Sequence, residues 1–320
     1  MKSQPNGVTS HPWGLPPRNL GEVSASTATG HEHGHNPLGS FLLPEGFHRP
    51  RAREVLREGS VILEAGRFAV ESVEETWQRR LGSYATREMP RTGDPVILVP
   101  GFMAGDLTLR AMSRTLRRRG FRTYRSHIRA NVGCTLAATA ELETRIESIA
   151  IRRGSRVQIV GHSLGGLLAR GLAVRRPDLI SGIVTLGSPM LAPGAHHVLL
   201  TSGVELLVRL SRAGVPGLMS EECVGGSCAR QGFEESREPL RPDVSFTAVY
   251  SRRDGIVDWR ACIDPAARAV EVTASHVGMA LDPRVTDVVT DALRLPARSG
   301  RGLAALPGLS VLEVDSGESA

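Results

Sequence analysis

From residue 95 onward, short runs of branched apolar side chains alternate with longer stretches of helical periodicity, and this alternation restricts the fold more than any other feature. Val96 to Val99, Arg122 to Ser126, Val157 to Val160, Ile180 to Leu186, Ser245 to Tyr250 and Val270 to Val272 read as strands. Leu107 to Arg118, Ala137 to Arg152, Leu164 to Arg175 and Val285 to Leu295 read as helices. Strands that are apolar along their whole length are buried on both faces, and parallel neighbours need a crossover, usually helical, between them. The pattern therefore predicts an α/β fold, a mostly parallel sheet with helices on both faces. One interval departs from it. Between Leu186 and Ser245 lies the largely apolar helical stretch "HHVLLTSGVELLVRLSRAGVPGLM". An insertion there stands above the carboxyl ends of the strands, where open α/β sheets place their ligands, and predicts a cap over about residues 190–242. An ordinary crossover helix with a long loop is the alternative.

The flanks carry a different signal. Residues 1–50 are rich in Pro, Gly and Ser, include the run His31, Glu32, His33, Gly34, His35, and predict a disordered tail without the rigid frame a metal site needs. Residues 51–88 predict an amphipathic helical extension, with Val55, Ile62, Leu63, Phe68, Ala69, Val73 and Trp77 at near-helical spacing. The main domain is then 89–296, and 297–320 reads as a second tail.

The net charge of +6 does not point to nucleic acid. Lys2 is the one lysine, so the positive charge is almost all arginine, and its densest cluster, from Arg114 to Arg125, suits a solvated helix end. No run of apolar residues is long enough for a membrane span, and the N-terminus lacks the apolar core of a secretory signal, so the expected compartment is the cytoplasm. Cys134, Cys223, Cys228 and Cys262 follow no zinc-binding spacing, and no metal or organic cofactor is expected. Cys223 and Cys228 would close a small disulfide loop in an oxidising compartment and stay thiols in the cytosol.

Chemistry concentrates at "VQIVGHSLGGLLARG", residues 157–171, where Gly161-His162-Ser163-Leu164-Gly165 follows an apolar strand and opens a helix. A serine on such a tight turn takes strained backbone angles, and small residues two positions before and after it remove the clashes. Its hydroxyl then projects above the sheet beside the helix N-terminus. A serine needs a base to take its proton, and the base needs a carboxylate to orient it. Asp254 follows the strand in "VSFTAVYSRRDGIVDWRAC", and His276 follows the next strand in "VEVTASHVGMALDP". Asp258 would replace Asp254 if that turn is longer. His162 should point away from the serine, and His196 and His197 lie in the cap.

Taken in order, "VILVPGFMAG", "VGHSLGG", "VTLGSP", "YSRRDGIV" and "ASHVGM" resemble the motifs of the α/β-hydrolase family, and within it the bacterial lipases and esterases, over about Pro95 to Leu295. The resemblance implies Ser163 as nucleophile, His276 as base, Asp254 as orienting acid, and the backbone amides of Phe102 and Leu164 as oxyanion donors. Pro100 replaces the histidine that many such lipases carry in an "HG" pair, a change that leaves the backbone donor in place.

The triad chemistry is acyl transfer, with water as the expected acceptor. Apolar residues of the cap, among them Leu199, Leu200, Val204 and Leu207, together with Met103 and Met190, predict an aliphatic acyl site on a small-molecule or lipid ester, with transient contact at a lipid surface. The competing readings are an acyltransferase or thioesterase on the same residues, and a non-catalytic binding protein of the same fold. The sequence sets neither the ester nor the oligomeric state.

Overall fold

A computed structural model describes residues 38–60, 66 and 93–295. Six parallel strands form one sheet: β1 (Val96–Val99), β2 (Thr123–Arg125), β3 (Val157–His162), β4 (Ile180–Leu186), β5 (Ser245–Ser251) and β6 (Arg268–Val272), in the order β2-β1-β3-β4-β5-β6. Each of the six strand segments expected from the sequence forms a strand, with ends shifted by two residues at most.

Strand alternation divides the core between two faces. Ile97, Val99, Ile159, Ile180 and Ile183 point to one side, under α3 (Thr135–Arg153) and α4 (Leu164–Arg175). Val96, Leu98, Val160, Val184 and Val249 point to the other, under α2 (Arg110–Arg118) and α8 (Pro283–Arg294). All four residues of β1 are buried, as a strand covered on both faces requires. β6 closes one edge and is mostly exposed. No helix among the described residues is long and apolar enough to cross a membrane.

The interval between β4 and β5 holds three helices, α5 (Val198–Arg212), α6 (Glu221–Val224) and α7 (Ser227–Glu235). Val204, Leu207 and Val208 of α5 build a small apolar cluster with Met219 and Val224, against which Phe102 and Leu38 pack. The short helix α1 (Ala52–Val55) runs into a 3-10 turn, Leu56–Ser60. Of the expected amphipathic extension, Ile62, Leu63, Phe68, Ala69, Val73 and Trp77 lie outside the described residues, as do residues 1–37 and 296–320.

Part of the segment 1–50, read from the sequence as a tail, docks on the body at Leu42 to Phe47. Leu42 is buried, Leu43 and Phe47 pack on Ala192, Ala195 and Ala261, and the Gly194 amide donates to the Leu42 carbonyl at 2.6 Å. These apolar residues are too few and too irregularly spaced to form a periodic pattern, so the composition of the segment hid their docking.

The order of the sheet locates the site. From β1 the chain moves outward to β2 and then returns to the other side of β1 for β3, so the connections leave β1 and β3 in opposite directions. That reversal opens a crevice at the carboxyl ends of β1 and β3. Gly101 and Phe102 follow β1 there, and Ser163 follows β3.

Candidate active site

Ser163 sits at φ 51° and ψ −120°, between β3 and α4. A non-glycine residue holds such angles only when its surroundings fix them, and here the surroundings are nearly all backbone. A Cβ on Gly165 would collide with the Val99 carbonyl, and one on Gly161 would lie 2.5 Å from the Gly165 carbonyl oxygen. The elbow closes only with glycine at both places. The Ser163 amide donates to the Leu186 carbonyl at 2.8 Å and ties the turn to β4. Among the described residues Ser163 Oγ has no hydrogen bond, to His276 or otherwise, and the side chain borders an apolar cavity.

His276 and Asp254 come together at the ends of neighbouring strands. His276 Nδ1 lies 2.7 Å from Asp254 Oδ2, and both side chains are almost fully buried. Asp254 Oδ1 accepts from the amides of Ile256 and Val257, each at 2.8 Å, which fixes the carboxylate plane. Burial alone would push the His276 imidazole down, but the charge and hydrogen bond of Asp254, with a further contribution from Glu58, hold its pKa above the ordinary value. Asp258, the alternative acid, is engaged elsewhere: it accepts from the Arg260 amide and side chain and from the His48 amide.

Two residues that the sequence did not assign to the site hold His276 in place. Glu58, in the 3-10 turn after α1, accepts the amides of Gly255 at 2.9 Å and His276 at 3.0 Å on Oε1, and that of Val277 at 3.1 Å on Oε2. One carboxylate thus joins the loop of the acid to the loop of the base. The approach depends on Gly255, where a Cβ would collide with the Glu54 carbonyl. The sequence signal was slight, an acid in a charged extension. The second residue is His162, whose Nε2 is 2.9 Å from the His276 carbonyl and whose ring centroid is 5.0 Å from that of His276. Burial and then the neighbouring His276 push His162 down to about 4, so it stays neutral and donates from Nε2. His162→Leu would remove the hydrogen bond to the His276 carbonyl, and we expect a loss of about 0.5–1.5 kcal/mol in stability, read from the denaturant midpoint.

The amides of Leu164 and Phe102 donate to no described group. They lie at the N-terminus of α4 and after β1, on the two strands that flank the crevice. Phe102 is anchored by its pairing with Asn131, whose side chain donates to the Pro100 carbonyl at 3.0 Å. Met103 takes a left-handed φ of 56° and follows directly.

The cavity measures about 170 Å³ and is lined by Ser163, Leu164, Phe102 and apolar side chains from both the sheet-covering helices and the β4–β5 interval, including Leu167, Leu200, Val204 and Phe233. Of the residues expected to contact substrate, Met103, Met190, Leu199 and Leu207 do not line it. The reason lies in the rotation of α5: Leu200 and Val204, one turn apart, face the cavity, Leu199 points to solvent, and Leu207 fills the adjacent cluster. Met190 is part of the main core, and Met103 is more than half exposed.

Comparison with known proteins agrees with the fold. Residues 90–208 match the PGAP1-like alpha/beta domain. The mature form of Bacillus licheniformis lipase BlEst2 superposes with a TM-score of 0.51 at 14% identity, covering 63% of this chain and 92% of that chain. The propeptide form of the same lipase gives 0.51 and 14%, covering 65% and 52%. A monoacylglycerol lipase of Paleococcus ferrophilus gives 0.44 and 17%, covering 63% and 95%. No curated protein sequence matches the chain. Strand order, the strained serine turn and the superposition on BlEst2 converge on one architecture, and the chain is an α/β-hydrolase-fold protein.

Proposed function

We propose that the protein is a serine hydrolase of carboxylic esters with apolar acyl groups, working through an acyl-enzyme intermediate. The observation that carries this reading is the Ser163 elbow, which opens on an apolar cavity while the His276–Asp254 pair stands at neighbouring strand ends. Ser163 Oγ attacks the ester carbonyl carbon, and its proton passes to His276 Nε2. The Nδ1–H of His276 donates to Asp254, which stabilises the imidazolium that forms. The carbonyl oxygen becomes an oxyanion as the tetrahedral centre develops, and the amides of Leu164 and Phe102 receive it. Collapse expels the alcohol, which leaves with the proton from His276. Water then attacks the acyl carbon with His276 again as base, and the carboxylic acid departs with Ser163 restored. No metal or organic cofactor enters these steps.

The cavity sets a chain length. An apolar cavity of roughly 150 Å³ accepts a molecule the size of benzene, so this one suits an acyl chain of about six carbons. Among p-nitrophenyl esters we expect kcat/KM to peak at short to medium chains and fall for palmitate. A fluorophosphonate should label Ser163, located by peptide mapping. Absence of both turnover and labelling in folded protein would overturn the hydrolase reading. Faster alcohol-ester formation than hydrolysis with an added alcohol would make the protein an acyltransferase instead.

Gly171 offers a sharper test of the acyl site. It lines the cavity from α4, and a Cβ built on it meets nothing within 4 Å. A larger side chain enters the cavity from there, and replacing a helical glycine also contributes up to about 1 kcal/mol of helix stability. Gly171→Leu is expected to move the chain-length optimum toward acetate and propionate with the melting temperature unchanged or higher. An unchanged profile would remove this cavity as the acyl site.

A further inference from the structure

We propose that Cys134, Cys223 and Cys228 form a three-thiolate site for a thiophilic d10 cation, zinc or copper(I), which fastens the helices of the β4–β5 interval to the strand-bearing body. The three Sγ atoms all lie within 4.8 Å of one another, the one such convergence of cysteine, histidine and acidic groups among the described residues. No pattern in the sequence points to it, because Cys134 comes from a distant segment and the short spacing of Cys223 and Cys228 suggests at most a disulfide.

The geometry suits a shared cation. Metal–sulfur bonds of about 2.3 Å place three sulfurs about 4 Å apart, so binding requires a contraction of about 1 Å or less. A disulfide would draw two sulfurs to about 2 Å and leave the third thiol outside the bond. All three cysteines are half-buried, open enough for an ion to enter, whereas Cys262 is fully buried and apart. Cys134 is the N-cap of α3, a long helix of 19 residues, whose positive end favours thiolate over thiol. Ser220 Oγ stands 3.4 Å from Cys223 Sγ and supplies a hydroxyl next to that sulfur. The nearest acid in sequence, Glu222, accepts the amide and hydroxyl of Ser227 on one oxygen, Oε2, both at 2.8 Å.

Cys223 on α6 and Cys228 on α7 belong to the interval, and Cys134 belongs to the body. Cys223 lines the acyl cavity, as do Thr135 and Leu136 beside Cys134. A bound cation would therefore fix one wall of the cavity, and its role is to hold structure, independent of the reaction at Ser163. Thiols that bind as thiolates release their protons to solvent, so binding weakens as pH falls.

The test uses the full chain, reduced and stripped with a chelator. Cadmium titration should give an ultraviolet thiolate-to-metal band that saturates at one ion per chain, with protons released and the melting temperature raised. Competition against a zinc chelator and a copper(I) chelator then decides between the two cations. The band reports sulfur, so the histidines at 31, 33 and 35 do not contribute to it. Cys134→Ser and Cys223→Ser should each weaken binding tenfold or more with unchanged circular dichroism, and Cys262→Ala should bind like the parent. The proposal fails if folded wild type shows no saturable thiolate band, if both serine variants bind as wild type does, or if thiol counting finds two of the three sulfurs joined in a disulfide under reducing conditions.

Discussion

Ser163→Ala is expected to lower kcat for ester hydrolysis by about 10⁴-fold or more, with KM little changed and the fold intact. The methyl side chain fits the elbow as well as serine does, since the strain resides in the backbone and the tight contacts are made by Gly161 and Gly165. What is lost is the attacking oxygen, and nothing described nearby replaces it: His162 donates to the His276 carbonyl, and the Asp254 carboxylate is filled by His276 and two amides. His276→Ala should cost a similar factor, because an unassisted serine hydroxyl is a poor nucleophile. The double variant should then be hardly slower than either single one. Residues that act in one step are not additive, and the remaining rate reflects the two amide donors and substrate positioning alone. Losses that multiplied would mean that Ser163 and His276 act in separate steps. Activity retained in Ser163→Ala would remove it as nucleophile.

The parts of this molecule that were legible in its sequence are those set by local pattern. β1 is buried on both faces, so it appears as an unbroken apolar run, and a serine between two glycines at a strand-to-helix junction has few conformations open to it. Asp254 and His276 could be placed at strand ends because the strands before them were recognisable. The apolar cavity beside Ser163 was not legible in the same way. Its lining depends on how α5 is rotated, and a helix rich in leucine presents apolar residues on several faces: Leu199 and Leu206 are exposed, while Leu200 and Val204 face inward. Glu58 was invisible for a different reason. Its partners are three backbone amides, which carry no side-chain identity for a pattern to reveal. The thiol cluster was hidden by distance along the chain, since Cys134 lies far from Cys223 and Cys228 in the sequence.

The second large effect is expected from Asp254→Asn, and the structure specifies why an amide is not a neutral stand-in there. Ile256 and Val257 donate to Oδ1, so the asparagine would keep its oxygen on those amides and turn its NH₂ group toward His276 Nδ1. Nδ1 would then accept a hydrogen bond, the ring proton would move to Nε2, and Nε2 could no longer take the proton of Ser163. A fall in kcat of about 10⁴-fold follows by analogy with serine proteases, in which the wrong histidine tautomer has that consequence. Glu58→Gln separates charge from tautomer. Its oxygen can still accept from Gly255 and His276, so the Nδ1–H bond to Asp254 stays in place, and the high-pH rate should fall only several-fold as the Val277 amide loses its acceptor. The pH profile should move as well. His276 must be neutral to act as base, so kcat/KM rises as pH passes through its pKa, which Asp254 and Glu58 hold above the ordinary value. Removing the Glu58 charge destabilises the imidazolium, lowers that pKa and shifts the acid limb to lower pH. A limb that stayed in place, or moved to higher pH, would reduce Glu58 to a structural tie between two loops.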